Sequence, residues 1–212
     1  MIAVARRIEE LGPAGIKRVA IDGVDGCGKS AFGDALAAVF GNLDRFVIRA
    51  SVDDFHNPRE VRYRLGRESP DGFYLDSYDY PAFIERLLRP LSPDGSRRYR
   101  LAAFDHVADR PVDAEERRAP EDAVLIVDGI FLHRAELRSF WDLSVFLDVP
   151  FEVSIPRGAA RGESWGDPDL TSQYNRRYVE GQRRYLRECG PRERATIVID
   201  NTDLSDPRIV RG

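Results

Sequence analysis

Lysine is almost missing from this chain: Lys17 and Lys29 are the only two, and arginine fills every other basic position. Cysteine is as scarce, and Cys27 and Cys189 are too few and too poorly spaced for a zinc site or a disulfide framework. No apolar run approaches the roughly 18 residues that a membrane span needs. The opening Met1-Ile2-Ala3-Val4-Ala5-Arg6-Arg7 turns charged too soon for a signal peptide, so a cytoplasmic location is the default expectation. A basic excess is absent too, since 32 basic residues face 36 acidic ones for a net charge of −4. Non-specific nucleic-acid binders carry a clear surplus of positive charge. Neither nucleic acid nor a membrane is therefore expected as a partner. What is present, 42% apolar and 10% aromatic residues in 212, suits one well-filled core or one domain with a small insertion.

Apolar spacing divides the chain into alternating elements. Residues 2–11 have helical spacing, ended by Gly12-Pro13-Ala14-Gly15. A short apolar strand over 18–22 runs into a glycine-rich loop, and Phe32, Leu36, Val39 and Phe40 then mark one face of a helix over 30–40. A second strand over 46–50 stops at the acidic corner Ser51-Val52-Asp53-Asp54-Phe55-His56. Residues 57–120 are rich in Arg, Tyr, Asp and Pro, with one helix expected at 81–88, where Asp79 and Pro81 can start it. Asp94-Gly95 gives a turn, and 98–104 could form a strand or hairpin arm. This stretch reads as an acceptor-binding excursion, with solvated elaboration as the alternative. Nearly unbroken apolar runs at 123–129, 143–149 and 195–199 suit parallel strands covered on both faces. Helical spacing follows Pro150 and recurs over 170–186. The expected fold is a three-layer α/β domain over 1–212, with a central parallel sheet of about five strands and helices on both faces.

Gly23-Val24-Asp25-Gly26-Cys27-Gly28-Lys29-Ser30 matches the phosphate-binding loop pattern at every fixed position, with a strand before it and a helix after. Glycines let the backbone wrap phosphates closely, and the helix start adds inward N–H groups and a positive end. Lys29 can reach the β- and γ-phosphates, and Ser30 can ligate magnesium. A threonine at position 31 would extend the nucleotide-binding set by a second hydroxyl, but the residue there is Ala31 and the set ends at Ser30. In a chain that otherwise uses arginine, a lysine at 29 suggests selection for a compact point charge. Asp128, ending the 123–129 strand, is placed to hold magnesium directly or through water, the alternative being a helix cap. One of Asp53 and Asp54, at the carboxyl end of the second strand, could accept a proton from an acceptor hydroxyl. The residues alone do not choose between them.

Residues 156–168 read as a lid. Arg157 and Arg161 would share one face of a helix and could clamp a moving phosphate, while Gly158, Gly162 and Gly166 suit a segment that opens and closes. A solvated arginine-rich helix is the alternative. Arg176, Arg177, Arg183 and Arg184 read mostly as a charged outer face, with Tyr174 and Tyr178 on an inward side. Asn201-Thr202 could border an adenine or simply make a turn.

The ordered set of the 23–30 loop, Val52-Asp53-Asp54-Phe55-His56, Tyr78-Asp79-Tyr80-Pro81-Ala82-Phe83, Phe104-Asp105-His106, Val127-Asp128-Gly129-Ile130, Ser172-Gln173-Tyr174 and Ile199-Asp200-Asn201-Thr202-Asp203 resembles the uridine kinase and phosphoribulokinase group. The resemblance runs from about residue 17 to 209. It implies ATP and magnesium, a small-molecule hydroxyl as acceptor, and a lid over a parallel sheet. By matching position it makes Asp53 the catalytic acid/base, also near the metal, and Asp79 the ligand of ribose hydroxyls. Phe104 would border a nucleobase, and Gln173 would line the substrate pocket. The positions where uridine–cytidine kinases carry a second aromatic and a base-reading His hold His106 and Asp109 here, and Asp128 stands where Glu is common. His106 could take over recognition or serve only the loop.

The expected activity is phosphorylation of a nucleoside 5′-hydroxyl. Other alcohols, such as pantothenate or a sugar phosphate, and a nucleoside monophosphate remain open, as does a homo-oligomer. A GTP-dependent switch is disfavoured, because no lysine beyond Lys29 can supply Asn-Lys-x-Asp.

Overall fold

The computed structural model describes residues 1–12, 14–162 and 166–212. Its strands are β1 (Lys17–Gly23), β2 (Val47–Ser51), β3 (Arg98–Tyr99), β4 (Phe104–Asp105), β5 (Arg110–Pro111), β6 (Arg117–Arg118), β7 (Val124–Gly129), β8 (Leu143–Asp148), β9 (Ile197–Asp200) and β10 (Arg208–Arg211). Its helices are α1 (Ile2–Glu9), α2 (Lys29–Gly41), α3 (Arg59–Arg62), α4 (Pro70–Asp76), α5 (Tyr80–Phe83), α6 (Phe151–Ala159), α7 (Gln173–Cys189) and α8 (Pro191–Arg194). Pro13 of the first expected turn, and Glu163, Ser164 and Trp165 of the expected lid, lie outside the described residues.

The main sheet has the order β10-β9-β8-β1-β7-β2. Five of its strands run parallel, as expected, and β10 adds an antiparallel edge that four exposed residues did not announce. The period of two along each strand splits the core. Val19, Ile21, Val124 and Ile126 pack with Val4, Ile8, Phe32, Leu36 and Phe40 from α1 and α2. Ala20, Leu125 and Val127 pack on the opposite face with Phe73, Tyr74, Phe83, Phe131 and Tyr185. Both faces of β1 and β7 are therefore wholly buried, and their middle residues 19–21 and 124–127 are apolar on either side, which is why those stretches lack alternation. Among the described residues no helix is long and apolar enough to cross a membrane.

Residues 57–120 hold more structure than the single helix expected. Ser69 caps α4 by accepting from Gly72 N (3.1 Å), and Pro70 supplies a preset φ at its start. Asp79 caps α5 through Ala82 N (2.9 Å), and the helix runs into a wider π turn over Ile84–Leu88. The expected hairpin arm is two short ribbons, β3 with β6 and β4 with β5. Arg177 of α7, 6% exposed, is the exception among the arginines read as outer face. Its guanidinium donates to the carbonyls of Arg62, Gly66, Arg67 and Ser69, tying that loop to α7. Tyr178 packs edge-on against Phe73, but Tyr174 is 59% exposed and does not turn inward.

A buried polar network sits under the glycine loop. Asp22 accepts from Gly23 N (2.7 Å), from His133 Nδ1 (2.5 Å) and from the Tyr185 hydroxyl. His133 N in turn donates to that hydroxyl (3.0 Å), and Ser144 Oγ lies 2.9 Å from His133 Nε2. A proton on His133 Nδ1 lets the ring donate to Asp22, which leaves Nε2 to pair with Ser144 Oγ. Tyr185→Phe strands His133 N–H and removes one donor from a buried carboxylate. We expect a loss of about 1–3 kcal/mol in urea unfolding.

Candidate active site

The loop between β1 and α2 is shaped by backbone demands that only glycine meets. Gly26 (φ +74°) packs so closely on α6 that a Cβ would lie 2.0 Å from Ser154 O. Gly28 (φ +99°) opens α2 without a side-chain cap, leaving the first helical N–H groups for an anion. Asn201, buried at the end of β9, donates from Nδ2 to Cys27 O (2.7 Å) and braces the loop from behind. Burial pushes the Cys27 thiol up, Lys29 opposing it.

Lys29 Nζ donates to Val24 O (2.8 Å). Burial disfavours its charge, but Cys27, Asp25, Asp53 and Asp22 outweigh that and its pKa is raised. Ser30 Oγ donates to Asp128 Oδ2 (2.7 Å), which brings together the two residues expected at magnesium. The following position adds no polar side chain to the loop. A threonine there is ruled out by the chain itself, which has Ala31, an exposed residue in the first turn of α2 whose methyl group can neither donate nor accept. Position 31 accordingly offers no hydroxyl, and Ser30 supplies the hydroxyl of the loop. Arg49 of β2 donates to the other Asp128 oxygen (2.9 Å), a contact the sequence did not signal. Among the described residues no group of three or more His, Cys, Asp or Glu side chains could hold a metal by itself. One hydroxyl and one carboxylate nonetheless fit magnesium, which takes hard oxygens and completes its shell with phosphate and water.

Asp53 lies in a short 3₁₀ turn, Val52–Phe55, that Ser51 caps by accepting from Asp53 N (3.3 Å). The Tyr78 hydroxyl donates to Asp53 Oδ1 (2.8 Å), and burial followed by the Asp53 charge keeps that phenol protonated. His56 donates from Nδ1 to Asp53 O (2.7 Å) and lies between the tilted rings of Tyr78 and His106, each centroid 4.6 Å away. Ala103 N donates to Asp54 O (2.9 Å), which holds the Phe104–His106 ribbon against the turn. Burial and then Asp53 raise the Asp54 carboxyl.

Burial lowers His56 from 6.5 to about 4, with Asp53 opposing and His106 and Arg62 assisting. The unfolded chain then binds the extra proton between those values, so stability rises with pH across that window and is lost as pH falls. His56 should make the protein about 2 kcal/mol less stable at pH 5 than at pH 7. Urea melts of His56→Asn at the two pH values should lack that part of the difference.

Other expected site residues are placed differently. Asp79 spends one oxygen on capping α5. Asp109 Oδ1 accepts from Arg59 N (2.9 Å) and Arg62 (3.4 Å), so it is committed to α3. Gln173 is the exposed first residue of α7, with no hydrogen bond to the Asp53 cluster among the described residues. The two arginines expected in a lid, Arg157 and Arg161, do not share a helical face, because α6 ends at Ala159. Arg157 donates to Asn201 O (3.2 Å) and Thr202 O (2.7 Å), whereas Arg161, in the turn beyond, acts on the Asp25 charge.

Solved structures share this architecture. A possible uridine kinase from Bacillus stearothermophilus superposes with a TM-score of 0.71 at 23% identity, over 93% of this chain and 95% of that one. The chain shares the three-layer α/β fold of that protein. A candidate fructose transport system kinase from Silicibacter sp. gives a TM-score of 0.70 at 23% identity, over 88% and 93%. Phosphoribulokinase from Rhodobacter spheroides gives 0.58 at 15%, over 87% and 70%. No family model matches the chain.

Proposed function

We propose that the chain transfers the γ-phosphoryl group of ATP to a small-molecule hydroxyl, and that the first acceptor to consider is the 5′-hydroxyl of a nucleoside. The observation that carries this reading is the convergence on one loop of Lys29, the Ser30–Asp128 pair and, on the acceptor side, Asp53. A nucleotide switch with no acceptor has no use for a carboxylate held by Tyr78 beside that loop.

The loop N–H groups and Lys29 bind the phosphates of the donor. Ser30 and Asp128 would hold magnesium, which supplies positive charge to the phosphate oxygens. Asp53 orients the acceptor hydroxyl and takes its proton as the new P–O bond forms and the bond to ADP breaks. Tyr78 fixes the rotamer of Asp53, and the His56–His106 pair walls the acceptor side. Residues 57–120 serve as the acceptor-binding excursion and 156–168 as the lid, with Arg161 as its phosphate-facing cation.

A second reading, an acceptor that is not a nucleoside, is favoured by Asp109, whose carboxylate is occupied by α3 where a base reader would stand free. ADP release from magnesium-ATP, measured with uridine, cytidine, pantothenate and fructose 6-phosphate, separates the two. The first reading expects a nucleoside to be preferred by kcat/KM. ADP formed at the same rate with no acceptor present would count against both.

A further inference from the structure

A guanidinium carries five N–H groups, and in Arg49 every one of them meets an acceptor. Nε donates to Asp34 Oδ1 (2.9 Å). Nη1 donates to Ala50 O (3.0 Å) and Ile126 O (3.2 Å), and Nη2 to Ser30 O (3.4 Å) and Asp128 Oδ1 (2.9 Å). These acceptors belong to α2, β2 and β7, so the group is pinned to three elements at once. No donor is left over for a phosphate.

Helix α2 makes room for it. Gly33 is buried in that helix, and a Cβ there would lie 2.8 Å from Arg49 Nη2 and 2.9 Å from Cζ. Glycine weakens a helix interior relative to alanine. Here it lets the guanidinium lie close against the helix.

Asp128 is 4% exposed, and its two oxygens have different partners. Oδ1 accepts from Arg49, and Oδ2 accepts from the Ser30 hydroxyl (2.7 Å). A divalent cation drawn toward Oδ1 would meet the guanidinium charge bound to that same oxygen, and like charges repel. Calcium gathers more oxygens than magnesium and often takes both from one carboxylate. Magnesium is satisfied by one, directly or through one of the waters it retains.

We propose that Arg49 is the positioning residue of the Asp128 carboxylate, reserving Oδ1 and presenting Oδ2 alone beside Ser30, so that the nucleotide site takes magnesium in preference to calcium. The proposal rests on the phosphotransferase reading above, in which Ser30 and Asp128 hold the metal of the donor nucleotide.

The test is the affinity of a fluorescent, non-hydrolysable ATP analogue, titrated with magnesium, with calcium and with EDTA. The two ions carry equal charge, so any change in simple repulsion cancels in the ratio of the calcium Kd to the magnesium Kd. A change in how the carboxylate is presented does not cancel. The wild type should bind the analogue more tightly with magnesium. Arg49→Lys keeps the charge without the planar fork, and the ratio should fall by about tenfold, as when an outer partner of a metal ligand is lost. Gly33→Ala keeps Arg49 and suits a helix interior, but its methyl group displaces the guanidinium, and the ratio should fall in the same direction. It reads the proposal even where Arg49→Lys folds poorly. A ratio unchanged in either folded variant, including one in which both affinities weaken together, would make Arg49 a structural residue and overturn the proposal. So would a wild type that binds the analogue equally with both ions. If that common affinity is also the affinity in EDTA, the placement of the metal at Ser30 and Asp128 fails as well.

Discussion

Asp53→Asn is expected to bind ATP as the wild type does and to lose the chemical step by about 10²–10⁴-fold in rate. The substitution preserves shape, since an Asn Oδ1 can still accept from the Tyr78 hydroxyl that now lies 2.8 Å from Asp53 Oδ1. It removes only the charge and the capacity to take a proton. ATP affinity should be little altered, because in the proposed mechanism the donor is held by loop N–H groups, Lys29 and magnesium. Asp54→Asn should be milder. The Asp54 backbone carbonyl is tied to Ala103, and the tyrosine hydroxyl that orients a carboxylate in this turn, that of Tyr78, goes to Asp53. If Asp53 mainly organises magnesium and its waters, high magnesium will restore the Asn variant substantially. Rates of both variants against magnesium concentration decide the point, and an active Asp53→Asn beside an inactive Asp54→Asn would reverse the assignment.

Lys29→Ala is expected to lower kcat/KM by about 10²–10³-fold, the range for removing one donor aimed at developing charge. Burial disfavours its charge, yet the groups around it outweigh burial and its pKa is raised. Within the protein it makes one backbone contact, to Val24 O, so far-UV circular dichroism should show an intact fold. Near-normal turnover at saturating ATP would remove Lys29 from the mechanism.

The parts of this site that could be read from sequence are those whose chemistry is local. The 23–30 loop carries its whole pattern within eight consecutive positions, and the strands at 18–22 and 123–129 announce themselves through burial on both faces. The Ser30–Asp128 pair followed because a carboxylate ending such a strand has few other places to be. The hydrogen bond from Asp25 N to Gln182 Oε1 (2.7 Å) was invisible, as it joins residues 157 positions apart and Gln182 sits in no recognisable pattern. Arg49 on Asp128 and Tyr185 on Asp22 are hidden for the same reason, since both depend on which strand and helix become neighbours.

Other misses were local and could have been avoided. Ser69-Pro70 is a helix-start signal, and α4 begins there. Periodicity placed Arg157 and Arg161 on one helix face, but it could not show that α6 stops at Ala159 and that the Asn201 and Thr202 carbonyls draw Arg157 away. Arginine at that density offers many pairs four residues apart, and spacing alone does not say which of them folds as helix.

The central claim is that phosphate leaves ATP for an alcohol, and ³¹P NMR of the complete reaction tests it most directly. With wild-type protein, magnesium-ATP and an alcohol acceptor that the wild type uses, the γ-phosphate resonance should be replaced by a phosphomonoester resonance that grows in step with ADP and is slowed about 10²–10³-fold with Lys29→Ala. Inorganic phosphate appearing in place of the phosphomonoester, at a rate indifferent to the acceptor, would contradict the account.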